Sequence, residues 1–255
     1  MKNQRKIGTL LSYLLMGVNI LTSLIYTPVM LKILGQNEYG LYQLSYSIVS
    51  YLSILNLGFT SSYMRFYSRL KVKDDTEEIT KLNGMYMCIF LIISAICIVA
   101  GSAMICNIET FFSTGLTAAE TEKSKVLLTF MVFNMALSFP LGGFSSILNA
   151  HEEFIVQRGI SIIVKLLNPF LTLPLLLLGY GSVGMVFITT VLTVGDFIAE
   201  SLFCLKKLKV KFNFRGFNFK NFSNLGKFTF WIFLMNIASQ INMNLDQYLL
   251  GRMIG

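Results

Sequence analysis

The chain has 255 residues, of which 54% are hydrophobic and only 13% charged, with a mean hydropathy of +0.64. A soluble domain carries about a quarter charged residues, so this composition excludes an ordinary soluble core and predicts an all-α, polytopic transmembrane helical bundle. The formal charge of +8 does not imply nucleic acid, because the basic residues crowd into alternate loops between apolar runs, as membrane orientation requires.

A basic head (Lys2, Arg5, Lys6) precedes the first apolar run, about residues 7–34. That run is too long for a signal peptide and lacks a small-residue cleavage site, so it reads as a retained first span. Ser12, Asn19, Thr22, Ser23 and Tyr26 fall along it at helical spacing, with Pro28 near the far end. A turn at residues 34–40 leads into a second span, about 41–67. There Tyr42, Tyr46, Ser50, Ser53, Asn56 and Thr60 step by threes and fours and share a face. Helices striped in this way suit lipid on one side and a wet cavity on the other, the pattern of a protein that moves something polar through a membrane.

A charged loop holding Arg69, Lys71, Lys73, Asp74, Asp75, Glu77, Glu78 and Lys81 leads to a third span at about 82–106. Its exit loop, 107–124, carries Glu109, Glu120 and Glu122 against Lys123. The fourth span, about 125–150, contains Pro140 and the pair Gly142-Gly143, which predict a kink and close helix contact. The fifth, about 159–178, follows the loop 151–158 and is expected to be interrupted by Pro169 and Pro174. A tight hairpin at 179–184 opens the sixth span, which ends near Leu205, and a seventh covers about 224–250.

Lys and Arg concentrate in the head, in the loop after span two and in the loop after span six. The last holds Lys206, Lys207, Lys209, Lys211, Arg215 and Lys220 with no acidic residue among them. Positive-inside therefore predicts a cytoplasmic N-terminus, with Gly255 on the outer side. Phe212, Phe214, Phe217 and Phe219 interleave these charges. Between two spans the pattern reads as rings in the interface and lysines on anionic headgroups rather than as a single-strand nucleic-acid surface. Span seven partly repeats span one: Asn19 precedes Leu34-Gly35 much as Asn236 precedes Leu250-Gly251.

The sequence contains no P-loop and no Gly-x-Ser-x-Gly, and His151 is its sole histidine. Cys88, Cys97, Cys106 and Cys204 form no Cys-x-x-Cys pair and read as small apolar packing. The expectation is no enzyme, no metal and no cofactor. The informative residues are ionisable groups inside spans, because charge in hydrocarbon is costly unless paired or hydrated. Asp196 lies near the middle of span six, and Glu200 sits one turn closer to the cytoplasm on the same face, close enough to the interface to be solvated. Asp246 shares a face of span seven with Asn236, Ser239 and Asn242, widened by Gln240, Asn244 and Gln247. Lys165 is about two turns into span five and Arg65 ends the stripe of span two. Both basic residues divide between snorkelling to headgroups and facing a cavity, and a Lys165–Asp196 pair is a further alternative.

Ile7-Gly8 through Asn19, Tyr26-Thr27-Pro28-Val29-Met30 and residues 34–42 resemble the opening of Wzx-type polysaccharide flippases, of the multidrug/oligosaccharidyl-lipid/polysaccharide (MOP) exporter superfamily. The resemblance continues through Leu57-Gly58-Phe59, Arg65-Phe66-Tyr67, Ala150-His151-Glu152-Glu153-Phe154, residues 236–246 and Leu250-Gly251. It implies a MATE-like architecture of two six-helix bundles around a central cavity with alternating access. The N-terminal bundle would occupy 1–205, a basic cytoplasmic hinge 206–223 and the first helix of the second bundle 224–255. The implied substrate is an oligosaccharide on undecaprenyl diphosphate, flipped from the cytoplasmic to the outer leaflet of a bacterial plasma membrane during surface polysaccharide biosynthesis. Other polysaccharide-assembly membrane proteins are implied as partners.

Cationic cavity residues hold the diphosphate in such proteins. The resemblance therefore points to Arg65 and Lys165, with Asn19, Asn56, Asn236 and Gln240 as polar contacts. Asp196, Glu200 and Asp246 become candidates for coupling to a proton or sodium gradient. Since such proteins carry two full bundles, a chain of seven spans reads as a fragment or a truncated form. Two alternatives are a cation-coupled drug exporter of the same superfamily and a non-transporting membrane remnant that docks through its basic 206–220 face. The polar faces of spans one, two and seven argue against the remnant.

Overall fold

Long apolar runs without strand-like alternation fold as helices, and no strand occurs among the described residues. The computed structural model describes residues 2–56, 58–108, 117–214 and 234–235. The first element, α1 (Lys2–Ser50), is broken at Gly35, where φ is 76° and ψ 168°. A residue without Cβ takes that φ without strain, and the chain doubles back there. Tyr26 packs beside Tyr42, whereas a straight helix would hold them about 24 Å apart. Gly8 at the start of α1 also lines the same cleft as Tyr67 and Val72. The expected seven-residue turn is thus a one-residue break, with residues 36–40 helical.

The second span, expected as one continuous helix, is interrupted midway. The returning arm of α1 ends at Ser50, a 3-10 turn runs over Tyr51–Asn56, and left-handed Gly58 (φ 73°, ψ 18°) starts α2 (Phe59–Val72). Next come α3 (Thr76–Cys106), with Asp75 capping the Glu78 N–H at 3.0 Å, and α4 (Ala118–Ala150), opened by a reciprocal Thr117/Glu120 capping box. Two further helices, α5 (Phe154–Leu177) and α6 (Gly181–Leu202), follow, and α6 runs into a π-helical turn at Phe203–Lys207. Pro169 and Pro174 do not interrupt α5 as expected, and α4 likewise runs on through Pro140. Each removes one N–H donor, a loss that the flanking turns absorb.

Among the described residues, five helical stretches, beginning with the doubled-back Lys6–Val72, are long and apolar enough to cross a membrane. Their relative burial identifies the centre. In α4, 44% of the most apolar window is buried, against 6% in the Lys6–Val72 stretch and 11% in α5. Lipid is as apolar as leucine, so the helices associate through close fit. Gly143 of α4 admits the Phe90 ring, and Gly101 of α3 admits Val132. Around this seam Tyr63, Tyr86, Phe90, Leu127, Leu128 and Leu148 are fully buried. Leu10, Leu14, Leu21 and Leu24 of α1 and Leu91, Ile92, Ile96 and Val99 of α3 stay exposed, as lipid-facing side chains do.

Cross-links at the two ends fix the helix directions. Gln4 bonds Glu153 at one end, and Tyr67 and His151 meet there at 3.2 Å. The non-helical segment 208–214 closes over the same end. The Asn213 N–H donates to the Thr80 carbonyl at 3.0 Å, and the Asn83 amide donates to the Lys211 carbonyl at 3.2 Å while accepting from the Tyr63 hydroxyl at 2.7 Å. Phe212 packs edge-on against Phe144, and the missing Cβ of Gly84 leaves room for the Asn213 carbonyl. At the other end Glu38 meets Lys123 and Ser182.

Candidate functional site

Three neighbouring pairs join α1 to α5 at one constant offset: Gly8 with Phe154, Tyr26 with Thr172, and Met30 with Leu176. The two helices therefore run parallel and in register. That register places Asn19 and Lys165 at the same level of the seam, since each lies eleven positions, close to three turns, beyond the Gly8–Phe154 contact. Asn19 is half-buried and Lys165 exposed. The buried Tyr26 hydroxyl faces Thr172, whose own hydroxyl donates to the Asn168 carbonyl and keeps its lone pairs for Tyr26.

Near the start of this seam a cleft of about 750 Å³ opens among α1, α2 and the α4–α5 corner. Its lining combines hydroxyls and an amide (Thr9, Ser12, Ser68, Asn149) with Lys71 and Arg158 as cations and Glu152 as the acid. Lys71 reaches over the Tyr67 ring, 5.8 Å from its centroid, a placement favoured by the ring quadrupole. Arg158 is held inward with its Nε buried and without a hydrogen-bond partner. Two more orphaned atoms, Gln4 Oε1 and Gln157 Oε1, lie in the same corner. Buried polar groups are ordinarily paired; the two amide oxygens can only accept, so it is the unpaired Arg158 Nε–H and the Lys71 ammonium that suit the cleft to an anionic ligand.

Arg65 stands one turn deeper than Ser68 on the same face of α2. Arg158 and Lys165 share a face of α5 two turns apart, as do Ser12 and Asn19 on α1. Four residues named from sequence thus sort around the cleft: Arg65, Asn19 and Lys165 lead inward from it, while Asn56 lies exposed at the break in the second span. Sequence reasoning did not select Lys71 and Arg158, because each sits where an interfacial charge is ordinary. The seven-residue spacings from Arg158 to Lys165 and from Ser12 to Asn19 were the available signal. Asn236, Gln240, Asp246 and all of the seventh span but residues 234–235 lie outside the described residues.

The two remaining carboxylates are elsewhere. Asp196, Glu200 and Cys204 form a column on the side of α6 that packs on α4. Glu200 is 2% exposed and accepts a hydrogen bond from Ser145 Oγ at 2.5 Å. It is not solvated as expected, because the helical chain continues nearly two turns past it, to Lys207. Asp196 is half-buried with Oδ1 unpartnered, and no ion pair joins it to Lys165 among the described residues.

At the opposite end one Glu38 oxygen gathers three partners, and the neighbouring Ser124 hydroxyl is buried without one. Glu38 Oε1 accepts from the Ser182 N–H at 2.6 Å and from its hydroxyl at 2.8 Å, and meets Lys123 Nζ at 2.6 Å. Burial alone would raise the Glu38 carboxyl, but the Lys123 ammonium and the two Ser182 donors outweigh it and hold it below the usual carboxylate range.

An all-helical membrane bundle with a polar, cationic cleft at one end defines the class of protein. The chain belongs to the polysaccharide biosynthesis protein family, whose model matches residues 8–255, and this suggests a role in polysaccharide synthesis or export. Comparison with curated proteins and with solved structures returns no match.

Proposed function

We propose that the protein is a transporter that flips a lipid-linked oligosaccharide, carried on an undecaprenyl diphosphate, from the cytoplasmic to the outer leaflet of a bacterial plasma membrane. The observation that carries this reading is the cleft, in which Arg158, its Nε–H unpaired, and the Lys71 ammonium line the space that a diphosphate would take. A guanidinium offers a planar fork of donors that matches phosphate oxygens. Lys165 and Arg65 continue the positive charge inward, and Asn19 and Asn56 add amides for the sugar. The N-terminal end is then cytoplasmic, in keeping with its excess of Lys and Arg, and the work is movement without any covalent step. Energy coupling through a proton or sodium ion is assigned to Asp196 and Glu200, which are partly or wholly withdrawn from water.

The test is complementation in the source cell with the natural gene carrying Arg158→Ala or Arg158→Lys. Arg158→Ala is expected to abolish surface polysaccharide and to accumulate the lipid-linked precursor on the cytoplasmic side, with the protein still inserted. Arg158→Lys is expected to restore export in part. Normal polymer from Arg158→Ala would overturn the assignment, and a drug-sensitivity phenotype in its place would indicate the drug-exporting branch.

A further inference from the structure

The outward faces of the spans are not alike. The first arm of α1 and the middle of α3 expose chiefly leucine, isoleucine and valine, with Thr9, Tyr13 and Ser23 also exposed on α1. The second span exposes Gln43, Tyr46, Ser47, Ser50, Tyr51, Asn56, Ser61, Arg65 and Ser68, and Leu44 is its one exposed aliphatic among the described residues from 41 to 68. Ser50 lies about 22 Å along the arm from Gly35, well inside a hydrocarbon layer about 30 Å thick. Ser47 and Ser50 satisfy their hydroxyls on backbone carbonyls of their own helix and so tolerate lipid. The side-chain amides of Gln43 and Asn56 make no hydrogen bond among the described residues, and amides left bare in hydrocarbon are costly. The α-helix is also interrupted here, tightening to 3-10 over Tyr51–Asn56 and turning left-handed at Gly58, and such departures from α-helix at membrane depth are tolerated where they line a wet cavity.

Aromatic rings stand along this face. Tyr39, Tyr42 and Tyr46 follow one another with ring centroids 6.5 Å apart at each step, the second pair stacked, and Tyr46 and Tyr51 are 54% and 60% exposed. They are not an interfacial belt, which would hold to one depth, because the series runs from the Gly35 turn to the middle of the span. A pyranose presents an apolar face of C–H bonds edged by hydroxyls, so it is matched by ring faces interleaved with amides. Resting on the proposed flippase reading, we infer that the exposed face of the second span is the wall along which the sugar chain travels. Tyr46 and Tyr51 stack against its rings, and Gln43 and Asn56 bond its hydroxyls.

The test uses the full chain with Cys88 and Cys106 replaced by serine, Cys97 and Cys204 being buried. Single cysteines at Gln43, Tyr46, Ser50 and Asn56 are probed with a charged, membrane-impermeant thiol reagent, with Ile92→Cys as the lipid-facing control. The four are expected to react and Ile92→Cys to stay inert; four sites as inert as the control would mean lipid or a protein helix covers the face, and would overturn the inference. Tyr46→Ala is expected to slow precursor export about tenfold, as loss of one stacking platform implies, and Tyr46→Trp to restore it. If Arg158→Ala abolishes export but Tyr46→Ala transports normally, the sugar wall fails and the flippase reading stands. If neither variant affects export, the flippase reading itself fails.

Discussion

The two ends of the bundle solve the same problem in opposite ways. At the Gly35 end three segments, α1, the start of α4 and the start of α6, converge on one oxygen of Glu38. At the N-terminal end the segment 208–214 is pinned to α3, yet next to it a cleft stays open with Arg158, Gln4 and Gln157 each holding an unsatisfied buried atom. One end is built for closure and the other for occupancy. An asymmetry of this kind suits a carrier resting with one mouth open. It also divides the contacts by kind: paired groups such as Asn83, Tyr63 and Glu38 hold the bundle, while on the proposed reading the unpaired Arg158 Nε–H is left to a ligand.

That separation can be broken most severely at Arg158. Arg158→Ala is expected to eliminate export while leaving the thermal midpoint in detergent unchanged or raised, since removing an unpaired buried donor relieves its desolvation; a clear fall in melting temperature would make Arg158 a structural residue. Asn83→Ala should act in the reverse sense. It strands the Tyr63 hydroxyl and the Lys211 carbonyl, costing about 2–3 kcal/mol, and denaturation in a mild detergent should show it. Glu38→Ala is expected to cost less, about 1–2 kcal/mol, because both charged partners at that end are partly exposed.

A pH series sharpens the same contrast. The Glu38 carboxyl is lowered in the folded protein, so its contribution is present above its unfolded value and is lost as pH falls through the lower folded value. Stability of the natural chain and of Glu38→Gln should therefore differ at neutral pH and converge under acid conditions below the usual carboxylate range. Curves that stay parallel would remove the ion pair from the account. The smallest effect is expected at Ser68→Ala in the cleft, within about 0.5 kcal/mol in melting, measurable as a weakened response to added precursor.

Much of the architecture was legible because a membrane leaves few options. Apolar runs, Gly35 at the first turn and the polar stripe of the second span all have simple periodic or conformational causes. The break at Tyr51–Asn56 was hidden, since the three- and four-residue spacing of Ser50, Ser53 and Asn56 continues across it. Pro169 and Pro174 misled in the opposite direction: a proline removes a donor, but neighbouring turns keep α5 helical. At the site, Lys165 and Arg65 stood out as charges within apolar runs, whereas Arg158 did not, because its importance lies in which helix corner packs over it. Glu200 looked solvated from its distance to the basic loop and is buried because the helical chain runs on past it.

The bond between Glu38 and Ser182 spans 144 positions, and that distance has a consequence for biogenesis. Glu38 is made early and must wait as a hydrated charge while four further spans are synthesised and threaded. Only when the start of α6 arrives does it find its Ser182 donors. The far end therefore sets once α6 has begun, before the segment 208–214 can close the N-terminal end, and a chain stalled before residue 182 would display a carboxylate that has met Lys123 but lacks its Ser182 donors, which a quality-control protease or insertion chaperone could read as unfinished work.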